Sequence, residues 1–486
     1  MITRNNRPTG PVAALVGVVF MLCLRLAVAC SPEGAPDSAV ASTSEAVISV
    51  EIDEPANPTT TIATSAAQPN ILLLIADDYG VDSSSCYGEL TLERAASTPR
   101  ISALCEEGLV FENVWSSPIC SPTRAGMLTG RHGFRTGVGE QETRKNGLEI
   151  GADELTLPRV LDAAGSGYRH ASFGKWHLGG DADNPNEMGW DHFSGILTGA
   201  LEDYYSWTKT VDGETVAVER YATTETVDDT LAWIGTGDEP WLAWVGFNAP
   251  HPPFHLPPSE LQSTTLSGAS TDIEANPVAY FDAVLEALDN EIGRLLDGLA
   301  PEVRSNTIVV FVGDNGTPAR VSGHTKGQSK GGLYEGGIHV PLAVTGPGVV
   351  SGRSDALVGT VDIFATVLDI AGLDIDVELA STQIDSVSFG DVLYGGDATS
   401  GVIMSEIFGS ETDTDDQGKA IRNDQHKVID FSDGRIEFFD LVSEPRGENP
   451  IDAGSRTEAE NQILDDLVST LRTWTAEPDA PRPGAS

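Results

Sequence analysis

Acidic and amide side chains directly follow two strongly apolar segments of the chain. Asp77 and Asp78 come after a run that begins at Asn70. Asp314 and Asn315 follow a second such run. Both runs predict buried parallel strands, and open α/β sheets place their ligands at the carboxyl edge of such strands. Hard oxygen ligands suit Ca²⁺ or Mg²⁺, and no His/Cys cluster has zinc spacing. Each pair could also be a simple turn.

Four basic side chains in short segments are further candidates for chemistry. Lys175 and His177 are two residues apart, so in an extended segment they point to the same side. His251 lies in a proline-rich segment, and a histidine can protonate a departing alkoxide near neutral pH. Lys330 precedes several glycines, which allow a close approach of the backbone. Taken singly, each could be an ordinary surface or packing residue.

Three neighbouring basic residues are predicted to lie outside the site. His255 is close to His251 in sequence but is a much weaker candidate for the site. His324 and Lys326 precede Lys330 and are expected to face solvent, as charged and polar side chains usually do.

The segment from Cys120 to Gly130 carries C-x-P-x-R followed by T-G. A cysteine beside a turn proline could be simply buried or disulfide-bonded, because short motifs have false matches. This segment nevertheless matches the signature of the type I, formylglycine-dependent sulfatases, an arylsulfatase-like family of the alkaline phosphatase superfamily. The order of the other motifs is also similar: G-K-W-H-L-G at 174–179, P-H-x-P-F at 250–254 and K-x-x-x-Y-E-G-G at 330–337. One departure is His339, where the family commonly has arginine.

The resemblance spans about residues 69–373 and continues more weakly to Leu441. It implies that a formylglycine-generating enzyme oxidises Cys120 to an aldehyde, whose hydrate is a geminal diol. One hydroxyl of a diol can attack sulfur and the other can expel sulfate by re-forming the carbonyl. A plain thiol lacks this second hydroxyl.

The resemblance also implies a role for each candidate. Arg124 and Lys175 stabilise the diol, and His177 takes its remaining proton. His251 and Lys330 face the leaving oxygen. The ligands of a calcium ion, with Mg²⁺ the less favoured ion, are Asp77, Asp78, Asp314 and Asn315.

The expected activity is hydrolysis of sulfate monoesters of aryl alcohols or carbohydrates, with a sulfated small molecule or glycan as substrate. Tyr204, Tyr205, Trp207 and residues 252–276 could shape a sugar subsite. One alternative is a phosphonate monoester or phosphodiester hydrolase on the same scaffold. Another is a catalytically silent lipoprotein that binds sulfated glycans.

Composition limits the possible partners. The formal net charge is −44 and 40% of the 486 residues are hydrophobic. Such an acidic chain is not expected to bind nucleic acid, because it would repel the phosphate backbone. The length fits one large α/β domain or a large domain with a smaller one.

The N-terminus predicts export. Residues 1–29 have the layout of a secretory signal, and Ser/Thr/Ala/Pro/Glu-rich residues 30–68 are typical of a flexible tether. Small residues before Cys30 resemble a bacterial lipobox, so lipid attachment there would give a periplasmic or cell-surface lipoprotein. Ordinary cleavage after A-x-A, and secretion, remains the alternative. Cys86 and Cys105 are either a disulfide or two separate thiols.

The remaining pattern predicts the elements that position these residues. Apolar runs at 70–76, 241–247 and 307–312 alternate with helical patterns, which favours a mainly parallel sheet covered by helices on both faces. The resemblance makes this α/β fold alkaline-phosphatase-like. The predicted helices are 100–108, 156–164, 224–234 and 278–299.

The chain beyond residue 384 has a different character. Short strands at 402–408, 419–429 and 435–441 and a helix at 458–473 predict a small C-terminal α+β subdomain. The predicted division is a catalytic domain at 69–384, this subdomain at 385–476 and a disordered tail at 477–486.

Overall fold

The structure is a computed structural model that describes residues 68–88, 96–143, 145–379, 382–397, 401–410, 416–445 and 447–476. The predicted signal, Cys30, the tether through residue 67 and the tail at 477–486 lie outside these ranges. Within them, no helix is long and apolar enough to cross a membrane.

A large mixed sheet forms the centre of the described part of the chain. Its strands are β1 (Asn70–Ala76), β2 (Leu109–Trp115), β3 (Arg169–Lys175), β4 (His192–Ile196), β5 (Trp207–Val211), β6 (Glu214–Val218), β7 (Trp241–Gly246), β8 (Thr307–Gly313), β9 (Leu342–Thr345) and β10 (Gly352–Gly359). They are ordered β10-β2-β9-β8-β1-β7-β3-β4-β5-β6. The central strands β8, β1, β7, β3 and β4 are all parallel to one another. The mainly parallel sheet predicted from the sequence is therefore confirmed.

The central strands are buried on both faces. In β1, Ile71, Leu73 and Ile75 pack into one apolar cluster, whereas Leu72 and Leu74 pack into a second one on the opposite face. Successive side chains of a strand point to opposite faces, so a strand covered on both sides has an uninterrupted apolar sequence. This explains why β1, β7 and β8 were recognisable from the sequence.

The α-helices are α1 (Pro99–Glu107), α2 (Cys120–Thr129), α3 (Gly133–Thr136), α4 (Leu157–Ala163), α5 (Asn184–Glu187), α6 (Ala222–Ile234), α7 (Ser270–Ala275), α8 (Pro277–Gly298), α9 (Pro301–Ser305), α10 (Glu335–Ile338), α11 (Ile363–Ile370), α12 (Ile375–Glu378), α13 (Gly390–Leu393) and α14 (Glu458–Ala476). Several of them cover both faces of this sheet, whereas α14 packs on a second, smaller sheet. Helices α2, α4 and α11 contribute to one apolar cluster, and α6 and α8 contribute to the other. The four helices predicted before residue 300 correspond to α1, α4, α6 and α8.

A second, antiparallel sheet follows, in the order β11 (Ile403–Ile407), β12 (Gly418–Arg422), β13 (His426–Phe431) and β14 (Ile436–Asp440). The prediction of one strand at 419–429 was wrong, because this segment is a hairpin. The side chain of Asn423 accepts hydrogen bonds from the backbone N–H groups of Gln425 and His426, which turns the chain.

The structure pairs Cys86 with Cys105 in a disulfide, with their Cα atoms 5.9 Å apart. Cys120 is a free and buried thiol. Of the two possibilities that the sequence left open, a disulfide or two separate thiols, the structure contains the disulfide. Cys120 therefore remains available for chemistry.

Trp474 anchors helix α14. Its side chain is only 1% exposed and its indole Nε1 donates a 2.9 Å hydrogen bond to Asp385. The Asp385 carboxylate also forms a buried salt bridge with Arg135 of α3. The last helix is thereby attached to residues near the end of α2.

We predict that Trp474→Ala lowers the free energy of unfolding by about 3–5 kcal/mol, because it leaves a large cavity and removes one of the hydrogen bonds to the buried Asp385 carboxylate. Trp474→Phe should cost less, since most of the apolar contact remains. Urea unfolding followed by circular dichroism measures both values. Tyr394→Ala, at a side chain that is 52% exposed, is the control and should change stability by less than about 0.5 kcal/mol. Equal effects of Trp474→Ala and Tyr394→Ala would contradict the anchoring role.

Candidate active site

The ends of two neighbouring parallel strands bring three carboxylates together. Asp77 and Asp78 follow β1, Asp314 follows β8, and Ala76 pairs with Gly313 in the sheet. All three carboxylates are buried. Asp78 has a left-handed backbone (φ 67°), and its N–H donates a 3.0 Å hydrogen bond to Asp314. The predicted adjacency of the two acidic strand ends is thus present in the structure.

Cys120 lies at the first residue of α2 and faces these carboxylates. Its Sγ is 3.5 Å from Oδ1 of Asp77 and 3.5 Å from Nζ of Lys330. Burial raises the pKa of the Cys120 thiol to about 12, against the opposing effects of Lys175 and Lys330. The unmodified thiol is therefore protonated at neutral pH.

Arg124 lies one helical turn after Cys120, so both side chains lie on the same face of α2. Its Nε and Nη2 both donate to Oδ2 of Asp314, at 3.1 and 2.9 Å, and its Nη1 donates to the carbonyl of Lys175 at 2.9 Å. A Cβ at Gly246 would lie 2.8 Å from Nη1, so this buried guanidinium requires glycine in β7. Arg124 thereby connects α2 to the ends of β3 and β8.

Three cations balance the three carboxylates. Nζ of Lys175 lies 2.6 Å from Oδ2 of Asp77, and Lys330 forms an ion pair with Asp78. Burial opposes ionisation of Asp77, but the charge of Lys175, followed by those of other nearby bases, holds its pKa below the usual range. Burial and the negative charge of Asp77 raise the pKa of Asp314 to about 6. The repulsion between these two carboxylates favours a bound cation.

The donor set fits a divalent metal ion. One ligand atom from each of Asp77, Asp78, Asp314 and Cys120 lies within 4.8 Å of the others. The side-chain amide of Asn315 donates to Asp78 and to a backbone carbonyl, whereas its buried Oδ1 has no hydrogen-bond partner among the described residues. Burying an oxygen that has no hydrogen-bond partner costs folding free energy unless an ion or a water molecule binds to it. All four predicted metal-binding residues therefore meet at one place.

The backbone conformation at His177 differs from the one predicted. The sequence interpretation put Lys175 and His177 in one extended segment, but β3 ends at Lys175 and His177 has a left-handed φ of 59°. That part of the prediction was wrong. The ring Nε2 instead lies 3.0 Å from the carbonyl oxygen of Glu142. Burial and the charge of Lys175 lower the pKa of His177 well below its usual value, so the ring is neutral.

His251 lies in the loop after β7 and is partly exposed. Its Nδ1 is 2.6 Å from the carbonyl of Pro252 and its Nε2 is 3.8 Å from Oδ2 of Asp78. The buried hydroxyl of Tyr204 donates to the carbonyls of Asn248 and His251, which fixes the loop. Burial lowers the pKa of His251 against the opposing charge of Asp78.

The remaining predictions have mixed outcomes. His255 faces Pro253 and Tyr221 rather than Cys120, as expected. Lys326 is exposed. His324 is not, because it is buried against Glu448 at only 8% exposure. Tyr204, proposed for a sugar subsite, is also buried, so its role is to support the His251 loop.

Sequence reasoning missed the residues that position the predicted ones. They are Ser121, Glu142, Gly199 and Gly246, whereas Tyr204 was named from the sequence but given a different role. Glu142 contacts His177 through its backbone carbonyl. The two glycines are required because a Cβ at Gly199 would collide with His177, and one at Gly246 would collide with Arg124. No local sequence signal carries such information.

The site combines a buried cysteine with three buried carboxylates and an amide oxygen, a donor set that fits a divalent cation. A sulfatase family model matches residues 69–373. Arylsulfatase G of Rattus norvegicus is 29% identical over 398 residues, covering 69% of this chain and 70% of that one. N-acetylgalactosamine-6-sulfatase of Homo sapiens is 32% identical over 342 residues, covering 64% of each chain.

A solved structure gives the same fold. The crystal structure of Ps i-CgsB in complex with k-i-k-neocarrahexaose matches with a TM-score of 0.72 at 20% identity, covering 86% of this chain and 94% of that chain. The chain belongs to the sulfatase family and is an enzyme that hydrolyses sulfate esters.

We predict that Asn315→Ala weakens divalent-cation binding by about tenfold or more, because it removes the buried Oδ1 and loosens Asp78. Calorimetric titration with Ca²⁺ measures the affinity. Asn290→Ala, at an exposed position on α8, is the matched control and should bind normally. Unchanged affinity in a folded Asn315→Ala protein would exclude this residue as a ligand.

Proposed function

We propose that the protein hydrolyses sulfate monoesters, of aryl alcohols or carbohydrates, through a formylglycine made from Cys120 and with bound Ca²⁺. The observation that carries this proposal is the position of Cys120 at the start of α2. Its Sγ lies 3.5 Å from both the Asp77 carboxylate and the Lys330 ammonium. A thiol with a pKa near 12 is a poor nucleophile there, because the thiolate is the reactive form.

Oxidation of Cys120 would replace this inert thiol by an aldehyde whose hydrate offers one hydroxyl for attack on sulfur and another for release of sulfate. Arg124 and Lys175 lie where they stabilise negative charge on that hydrate. Arg124 is held in place by its two bonds to Asp314, and Lys175 by its pair with Asp77. The first residues of α2 add the positive end of a helix dipole beside the sulfate.

Asp77, Asp78, Asp314 and Asn315 would hold the cation, and a bound Ca²⁺ would polarise sulfate oxygens. Oxygen donors alone favour Ca²⁺ or Mg²⁺ over zinc, and the deep burial of several carboxylates suits the calcium ion, which takes more protein oxygens than Mg²⁺ does.

His251 and Lys330 lie on the open side of the site, where the alcohol of the ester would leave. Burial opposes the charge on Lys330, but Asp78 raises its pKa above the usual value, so it remains a cation. The Pro252 carbonyl can only accept, so Nδ1 of His251 carries a proton and Nε2 is the atom that exchanges one. The negative charge of a bound sulfate ester beside His251 would favour the protonated form of this histidine. His251 would then donate to the departing alkoxide.

Carbohydrate sulfates are the substrate class we favour. A relative is an N-acetylgalactosamine-6-sulfatase, and the matching structure of Ps i-CgsB holds k-i-k-neocarrahexaose. An acid such as His251 matters most for alkyl esters, because sugar alkoxides are poor leaving groups.

We predict that Cys120→Ala lowers kcat on an aryl sulfate by more than about 10³-fold, since the nucleophile is lost. The assay uses protein made with a formylglycine-generating enzyme, and peptide mass spectrometry reports the aldehyde at position 120. Wild-type protein made without that enzyme is the matched control and should be equally inactive. Wild-type turnover by Cys120→Ala would overturn the assignment.

The same preparation separates the rival functions. Side-by-side kcat/KM values on a sulfate ester and a phosphonate monoester should favour the sulfate. A larger value on the phosphonate or a phosphodiester would indicate the alternative hydrolase. An unmodified thiol at Cys120 in protein from the native host would indicate the silent glycan-binding lipoprotein instead.

We also propose export, with attachment to the membrane by a lipid on Cys30. The support is the signal-like sequence 1–29 and the small residues before Cys30. Cys30→Ser should release the protein from the membrane fraction of the host, measured by immunoblotting of fractions. Equal release of wild-type protein would indicate simple secretion.

A further inference from the structure

A chain of two hydrogen bonds connects the residue after the nucleophile to His177. The hydroxyl oxygen of Ser121 accepts the backbone N–H of Glu142 at 2.9 Å. The carbonyl of the same residue, Glu142, lies 3.0 Å from Nε2 of His177. Ser121 is fully buried in the first turn of α2, directly after Cys120. The backbone of one residue, Glu142, therefore bridges the start of α2 and the imidazole.

This bridge fixes which nitrogen of His177 carries the proton. A carbonyl oxygen only accepts hydrogen bonds, so Nε2 must be the protonated nitrogen. Nδ1 then has a lone pair, and it is buried without a hydrogen-bond partner in the described residues. The ring is neutral, because burial and Lys175 lower its pKa. A buried nitrogen with a free lone pair and no hydrogen-bond donor beside it is suited to take a proton from a group bound in the site.

The backbone around this bridge is irregular and needs external support. Glu142 lies between α3 and α4, in a segment without helix or strand at that residue. On the other side of the ring, a Cβ at Gly199 would come within 2.3 Å of Nε2. The imidazole is thus held between the Glu142 carbonyl and the backbone at Gly199, and the position of that carbonyl depends on Ser121.

We propose that Ser121 is a positioning residue, which holds the Glu142 carbonyl so that Nδ1 of His177 faces the modified side chain at position 120. The inference rests on the proposed function and deepens it. It explains why the nucleophile and its base keep a constant geometry: both depend on the same first turn of α2.

The step that depends on this geometry is release of sulfate. Nδ1 of His177 takes the proton of the remaining hydroxyl, and the O–H electron pair becomes the carbonyl π bond. The C–O bond to the sulfo group breaks, and its electron pair leaves with the sulfate oxygen. The aldehyde is regenerated and His177 is left protonated. His177 then gives this proton to solvent, and addition of water to the aldehyde restores the diol.

The experiment compares Ser121→Ala with wild type, with rates normalised to the fraction of formylglycine measured by mass spectrometry. We expect kcat to fall by about 10- to 100-fold, since a base displaced by about 1 Å can cost that much, and KM to fall or stay constant. Rapid quenching should show a burst of leaving alcohol. Intact-protein mass spectrometry should show the sulfo group retained on the enzyme, because attack still occurs and release is slow.

Two variants test the origin of the effect. Ser121→Thr keeps an acceptor oxygen and should restore release of sulfate. Thr123→Val is the matched control: its hydroxyl is also buried in this turn, but it donates to carbonyls of residues 117 and 119 instead of holding Glu142. It should show neither the burst nor the retained sulfo group. A burst in Thr123→Val equal to that of Ser121→Ala would assign the effect to a loosened helix and overturn the proposal.

A second readout needs no turnover. In unmodified protein with isotope-labelled histidine, ring nitrogen resonances should show Nε2 of His177 protonated, with the signal assigned by its loss in His177→Gln. Ser121→Ala should shift or broaden that signal. Unchanged resonances together with no retained sulfo group would refute the positioning role. If wild-type protein has no sulfatase activity, the proposed function fails, and the resonances still decide the role of Ser121.

Discussion

Three carboxylates are buried at the ends of β1 and β8, and the arrangement of the rest of the site depends on them. Burying an ionised carboxylate costs several kcal/mol unless it is paired and hydrogen-bonded. The chain meets this cost with Arg124 on Asp314 and Lys175 on Asp77, both fully buried. Each cation comes from an element distant in sequence. The same electrostatic requirement therefore stabilises the fold and concentrates charge at one edge of the sheet.

Helix α2 converts this charged edge into a reaction site. Cys120 and Arg124 lie one turn apart on the same face, so anchoring the guanidinium to Asp314 also fixes the sulfur beside Asp77. The first turn of this helix additionally holds the Glu142 peptide through Ser121. In the proposed mechanism, one short segment therefore organises the nucleophile, the stabilisation of charge and the base, which gives a physical reason for a motif that is compact in sequence.

The sequence predicted the central strands β1, β7 and β8 well because both of their faces are covered. It did not predict β3 and β4, in which polar residues interrupt the apolar sequence. It missed edge strands such as β5 and β6, which are short, mix polar with apolar residues and leave many side chains exposed. It also merged β12 and β13, because the turn at Asn423 has no glycine or proline to mark it. The turn is stabilised by a hydrogen bond to the side chain of Asn423, which composition alone does not reveal.

The sequence by itself determined the chemical inventory: the acidic strand ends, Cys120 with Arg124, and the basic residues that surround them. Their types, order and spacing were sufficient because covalent neighbours and strand ends are local features. Only the tertiary structure decided how they face one another. The left-handed backbone at Asp78 and His177, the pairing of Cys86 with Cys105 and the carbonyl beside His177 all depend on contacts between distant segments. Such contacts depend on packing and burial of the whole chain, and no local pattern encodes them.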